Sequence, residues 1–349
     1  MSPEPSAFPP HPYSDPARQP LAFGRRAIPK LVAECTTTST NAATAPSPSD
    51  AKRRSLHSLT ALLADPVAVA EALATPLISV ANTELKCADA TCRALAAEIL
   101  DLITVHEAGT MQAIEHDSLA VLLSLINDTD ATVRLHAYNV IANMTAWPHY
   151  AARFPLTHPS LITTLLTALT QEHKKSLAHL TPLLTALSQL LASTPGDATI
   201  ALAAVHAKLI PTVTSLLVSG IGGTNARALA VSCIASVAVH AARTPDPVVP
   251  AVLGAAPALL SAAEHDPAAS VRAAAARAIA GVAADVPAKR AVVKLGVAGV
   301  LVRVLAAEAH GAQRETAAAA DVAAAVLSAV AVVGEEPEAR AEFSEALGI

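Results

Sequence analysis

Apolar and polar positions alternate with a helical period along residues 118–158. Leu119, Leu122, Leu123, Leu125 and Ile126 make an apolar run that stops at a short polar turn. Asp128 to Arg134, D-x-x-x-T-V-R, then opens a second helix. Its Val133, Ala137, Val140, Ile141 and Met144 fall at i, i+4, i+7, i+8 and i+11, which is one face of a packed helix. Pro148 ends that helix and a shorter helical piece follows. The phrase recurs as Asp266 to Arg272, D-x-x-x-S-V-R, with Val271, Ala275, Ala278, Ile279 and Val282 at the same spacing. Neither copy can bury its stripe alone, so the copies must stack.

The basic residue that opens each second helix gives a register for the whole chain. The anchors are Arg54, Arg93, Arg134, Lys175, Arg227, Arg272 and Arg314, at intervals of 39, 41, 41, 52, 45 and 42 residues. The long interval absorbs a Gly-rich loop, Gly220 to Gly223. A period near 42 lies in the armadillo and HEAT range of about 40–47 residues. A short third helical piece separates armadillo from two-helix HEAT units, and it recurs at Val67–Thr75, Gly109–Asp117, His149–His158, Ala198–Ala207, Val248–Ala256 and Ala288–Val297. The last copy closes on Gly296, suited to a left-handed cap position. The pattern therefore predicts an all-α, armadillo-type right-handed α-solenoid of about seven three-helix repeats.

Outside the repeats, residues 1–20 carry Pro at positions 3, 5, 9, 10, 12, 16 and 20 and predict an extended arm, with the solenoid over 21–349. Leu21 to Cys35 reads as helix. Thr36 to Asp50 lacks periodicity and reads as an inserted surface loop, with helix resuming at Ala51. Glu338 to Ile349 predicts a short capping helix. Residues 1–20 lack the apolar core of a secretory signal. Ala317 to Val333 is nearly apolar, but it falls where the repeat predicts a packed helix, so core packing is expected over a membrane span.

Composition agrees with close helix packing. The chain of 349 residues is 52% hydrophobic but only 2% aromatic, so Ala, Leu and Val carry the core. Length alone would suggest two or three domains, and the repeats favour one elongated solenoid instead. The net charge of −5 comes without a dense basic block, which argues against a nucleic-acid partner. Four cysteines in so long a chain are no disulfide framework and read as reduced thiols.

Catalytic and metal motifs are wanting. His106-Glu107 has Thr110 where a zinc protease needs its second His. Cys87 and Cys92 lie five apart without a second ligand pair in sequence, and read as buried thiols. Gly220 to Gly223 follows no predicted strand, so it is no phosphate cradle. The thirteen His residues keep no ligand spacing. The expectation is a non-enzymatic chain with no cofactor, no metal, no small-molecule substrate and no membrane.

One polar stripe stands out. Asn139, Asn143 and Trp147 are four apart along a second long helix, the helix that lines the concave groove of armadillo proteins. Import receptors repeat Asn and Trp there to hold an extended peptide. Here the ladder is absent: the Asn143 position holds Leu102, Leu184, Ser236, Gly281 and Ala323 in other units. The Trp147 position holds His106, Ser188, His240, Asp285 and Leu327. The stripe is a candidate for a single local partner contact, or a helix end in which Trp147 shields the neighbouring unit.

Residues 15–31, DPARQPLAFGRRAIPKL, resemble the opening of the armadillo-repeat radial spoke protein family of motile cilia and flagella. The likeness rests on Asp15-Pro16, Arg18, Phe23-Gly24, Arg26-Ala27 and Lys30-Leu31. Leu62–Leu73 and Glu115–Arg134 also look like that family, the latter through its His-Asp, Leu-rich helix and Asn-Asp turn. Over the remaining residues only the repeat period persists. The resemblance implies a non-catalytic structural subunit of the axonemal radial spoke, in the cytoskeleton of a cilium or flagellum, whose partners are other spoke or axonemal proteins. The alternative is a general cytosolic armadillo adaptor that holds an extended peptide or helix in its groove.

Overall fold

The structure is a computed structural model that describes residues 27–36, 48–172, 176–193, 198–241, 248–311 and 317–347. The Pro-rich arm, residues 37–47 of the inserted loop, and the anchors Lys175 and Arg314 lie outside the described residues. Those that are described form α-helices joined by short turns, with no strand among them. Contacts divide the chain into two compact units, Met1–Val121 and Leu122–Ile349.

The first unit contains α1 (Ala27–Thr36), α2 (Pro48–Leu62), α3 (Pro66–Leu73), α4 (Leu77–Glu84), α5 (Ala90–Thr104) and α6 (Glu107–Glu115); the boundary falls inside α7 (Ser118–Leu125). Helix resumes at Pro48, three residues before the expected Ala51, because proline suits a first helical turn. α5 packs on α2, α4 and α6, around fully buried Leu56, Leu59, Leu77, Leu85, Ile99, Leu100 and Ile103. Local signals set the ends. Asp65 caps α3 by accepting from the Val67 N–H at 3.0 Å, with Pro66 in the first turn. Gly109 of α6 lies so close to α5 that an added Cβ would stand 2.1 Å from the Ile103 carbonyl oxygen.

The second unit continues with α8 (Ala131–Thr145), α9 (Pro148–Ala151), α10 (Phe154–Thr157), α11 (Leu161–Glu172), α12 (Leu180–Ala192), α13 (Ala198–His206), α14 (Leu209–Ser219) and α15 (Gly223–Ala241). It closes with α16 (Val248–His265), α17 (Ala269–Val282), α18 (Val286–Lys294), α19 (Val297–Gly311), α20 (Ala317–Val333) and α21 (Pro337–Leu347). The long third helices pack side by side in the order α8, α12, α15, α17, α20. The last four are backed by the preceding helix of their own repeat, α11 on α12, α14 on α15, α16 on α17 and α19 on α20. α20 buries Val322, Ala325, Val326, Ala329 and Val333, the packed face that its place in the repeat predicts. α21 packs on α19 through buried Ala339 and Phe343, at the expected capping position.

The short first helices follow the predicted positions in α3, α6, α13 and α18, and depart from them twice. His149–His158 is split into α9 and α10. Val248–Ala256 is not a separate piece: α16 runs unbroken from Val248 to His265, with Pro257 inside it. The physical difference lies at the joint. At three other joints one left-handed residue turns the chain just before the middle helix: Asp117 (φ 51°) before α7, Lys208 (φ 61°) before α14 and Gly296 (φ 76°) before α19. α16 has no such residue, and the chain continues as helix although Pro257 withholds an N–H from the turn before it. α16 is also the helix, among the described residues, long and apolar enough to cross a membrane; here it packs against α14, α15, α17 and α19.

Candidate functional site

The recurring D-x-x-x-[ST]-V-R phrase is a joint between repeats. In the first copy, Asp130 caps α8 by accepting from the Thr132 and Val133 N–H groups at 2.8 and 3.2 Å. Arg134 then folds back, and its Nη1 donates to the carbonyls of Asp128 (2.8 Å) and Thr129 (3.3 Å). Its Nε donates to Glu172 of the next repeat at 2.6 Å. In the second copy Arg272 donates to the carbonyls of Asp266 (2.9 Å) and Pro267 (3.2 Å), and to Glu308 one repeat on at 2.8 Å. Arg93 makes the same return to Cys87 and Ala88, at 2.9 Å each.

Asp266 has three tasks. Its carboxylate accepts from Arg227 of the preceding repeat at 2.8 and 3.1 Å, its Oδ1 also takes the Ala268 N–H at 2.9 Å, and its carbonyl receives Arg272. The anchor arginine is thus a guanidinium with several donors placed where one carboxylate and two carbonyls converge, a geometry lysine cannot match.

One anchor is corrected. Arg54 makes only a 3.3 Å bond to the Asp50 carbonyl. The joint in that repeat belongs to its neighbours, Lys52 to Glu84 at 2.6 Å and Arg53 to Asp89 at 2.6 Å. In the repeat after that of α8, α12 starts at Leu180 after a 3-10 turn over Leu177–His179. There His179 takes part, its Nδ1 2.7 Å from the second oxygen of Glu172. Glu172 is almost fully buried among Arg134, His179 and the Tyr138 hydroxyl, and Tyr138 also donates to the Ile126 carbonyl at 3.0 Å. Burial would raise the Glu172 carboxyl, but hydrogen bonds from Arg134 and His179 outweigh it and hold the group below its ordinary value.

A second set of bonds joins the long helices to one another. Thr145 donates to Gln189 at 2.7 Å, Ser188 meets Ser232 at 3.0 Å, and Arg277 grips Asp321 with bonds of 2.6 and 2.7 Å. All three pairs are 44 residues apart, the length of one repeat. On the middle helices Arg303 of α19 holds Glu264 of α16 at 2.5 and 3.1 Å. Of the anchor pairs, sequence reading finds Arg134, Arg227 and Arg272 and misses the acid that each one meets. An acid 36 to 39 residues after the base is the signal that would reveal it.

The candidate stripe is only partly one stripe. Asn139 and Asn143 are half-buried on α8. Trp147 is not on that helix, which ends at Thr145; it is the half-buried, extended residue (φ −96°, ψ 104°) in front of α9. Pro148 is the cause, since the residue before proline is driven out of helical conformation.

Three of the four cysteines lie in the first unit. Cys35, Cys92 and, in the second unit, Cys233 are buried, while Cys87 is half-buried in the turn between α4 and α5. Burial pushes the Cys35 thiol up to about 11 and those of Cys92 and Cys233 to about 12; the neighbouring Asp89 adds to the effect on Cys92. The Cys92 thiol donates to Asp89 at 3.2 Å, and the hydrogen bond from Arg53 holds Asp89 down at about 2. Cys87 and Cys92, read from sequence as a pair without further ligands, are joined by Glu84: the ligand atoms of all three lie within 4.8 Å of one another.

No protein-family model matches the sequence, and no curated protein matches it. Solved structures do match its fold. An engineered protein from a structural-genomics programme aligns with a TM-score of 0.74 and 21% identity, over 93% of this chain and 72% of that one. A designed armadillo repeat protein, solved with a (KR)4 peptide, gives 0.60 and 17%, over 73% of this chain and 98% of that one. A structure from a study of cadherin and β-catenin gives 0.69 and 13%, over 95% and 57%. With its three-helix repeats and no strands among the described residues, the chain has an all-α, armadillo-type solenoid fold.

Proposed function

We propose that this chain is a protein-binding scaffold and, more specifically, a non-catalytic structural subunit of the axonemal radial spoke. The observation that carries the scaffold reading is the use of the repeats' half-buried ionic groups: Arg134, Arg227 and Arg272 are all engaged in joints between successive repeats. Such joints stiffen a stack in which stability is close to a sum over neighbouring interfaces. The spoke assignment rests on the sequence resemblance at residues 15–31, 62–73 and 115–134. Within the described part of those stretches, Leu62–Leu73 carries the Asp65 cap of α3, and Glu115–Arg134 carries the turn and arginine that open α8. Other spoke or axonemal proteins are the partners of this reading, and Asn139, Asn143 and Trp147 are its candidate contact residues.

A salt-extraction series on isolated cilia or flagella tests it. The expected result is that the chain stays with demembranated axonemes and leaves them only together with the other spoke subunits. Release with detergent into the soluble fraction would overturn the spoke reading and leave a cytosolic armadillo adaptor, which a peptide library displayed against the purified chain would then define.

A further inference from the structure

We propose that Glu84, Cys87 and Cys92 bind one thiophilic divalent metal ion of the zinc class in the first unit. Glu84 is the last residue of α4, Cys87 lies in the following turn and Cys92 in the first turn of α5. A single short turn and its flanking helix ends thus bring three donors together, and their ligand atoms already lie within 4.8 Å of one another. An ion bound at about 2.0–2.3 Å holds tetrahedral ligands some 3.5 Å apart, so the groups need to close by about 1 Å. The turn is fixed for the purpose, because Arg93 clamps the carbonyls of Cys87 and Ala88 and the Cys87 N–H bonds the Glu84 carbonyl at 3.0 Å.

The surroundings are those of a metal site with an outer shell. Lys52 donates to Glu84 Oε1, and Oε2 remains for the ion. Arg53 holds Asp89, which accepts the Cys92 S–H until that proton gives way to the ion. Two carboxylates and two cations sum to zero. Entry of a divalent ion with loss of the two thiol protons leaves that sum unchanged, so the part-buried cluster takes up the ion without gaining net charge. Half-exposed Cys87 is the entry path, and a water completes the fourth position on its side. Sulfur ligands select zinc, cadmium or cobalt and disfavour magnesium and calcium.

The test uses the full chain, reduced, and titrated with Co2+ alone and then Zn2+. The expected result is one equivalent of Co2+ with the intense visible bands of tetrahedral thiolate coordination, displaced by Zn2+ and untouched by Mg2+. Cys87→Ser, at a half-exposed position that does not threaten folding, removes the bands; Cys233→Ser keeps them. Absence of the bands in the reduced chain, or their survival in the Cys87→Ser/Cys92→Ser double variant, would overturn the proposal.

Discussion

Replacing Glu172 by leucine tests the idea that the joints between repeats hold the second unit together. Glu172 is 2% exposed and receives Arg134 at 2.6 Å and His179 at 2.7 Å. Leucine removes both acceptors and leaves a guanidinium in a largely dry site. Breaking a buried pair from one side costs about 3–5 kcal/mol. The Arg134 side chain keeps 14% exposure and its two carbonyl acceptors, so the lower end applies, about 3 kcal/mol. For a unit of this size that is a fall of roughly 6–12 °C in the calorimetric midpoint. Amide exchange should speed up in α8, α11 and α12, the helices that carry the network.

The double variant Arg134→Leu/Glu172→Leu carries the decisive information. With both charges gone no unpaired ion remains, and the double change should cost about 2 kcal/mol less than the sum of the single ones. Acid titration gives an independent check. The Glu172 carboxyl lies below its ordinary value in the folded chain, so it adds stability above the unfolded pKa of about 4.3 and loses it as pH falls through the folded value. The gap between the native chain and Glu172→Leu should therefore be full at neutral pH and shrink in acid. A single-variant cost under about 1 kcal/mol, or strict additivity in the double, would refute the reasoning.

Three further outcomes follow from local geometry. Gly109→Ala places a methyl against the Ile103 backbone, which cannot yield as a side chain would, and should lower stability by about 3 kcal/mol in thermal unfolding. Lys208→Gly relieves a left-handed lysine at the joint before α14 and should raise the melting midpoint, by up to about 1 kcal/mol of stability. Under native conditions a thiol reagent should modify Cys87 first, with Cys35, Cys92 and Cys233 protected until unfolding; mass spectrometry of the labelled peptides reads the order.

The repeat was legible because it is a local property. Helical spacing, Asp caps and the D-x-x-x-[ST]-V-R phrase all act within one or two turns, so α5, α8, α15 and α17 lie where the pattern predicts them. The left-handed Gly296 was equally readable, since it depends on its own residue type. Trp147 was misplaced for an equally local reason, the proline that follows it.

What the sequence determined by itself, then, is the all-α repeat, its period and the residues that start and stop its helices. Tertiary structure decided which charge meets which. Arg134 and Glu172 are 38 residues apart, and nothing nearby in the chain distinguishes Glu172 from any other acid. Only stacking brings it against the arginine and removes water from both. The same holds for Arg53 rather than Arg54 at the first joint, a choice between neighbours made by which side of α2 faces α5. It holds again for Glu84, which turns two thiols into a three-donor cluster once α4 and α5 fold against each other. Local propensity is encoded residue by residue, whereas the worth of a buried charge depends on partners that only packing supplies.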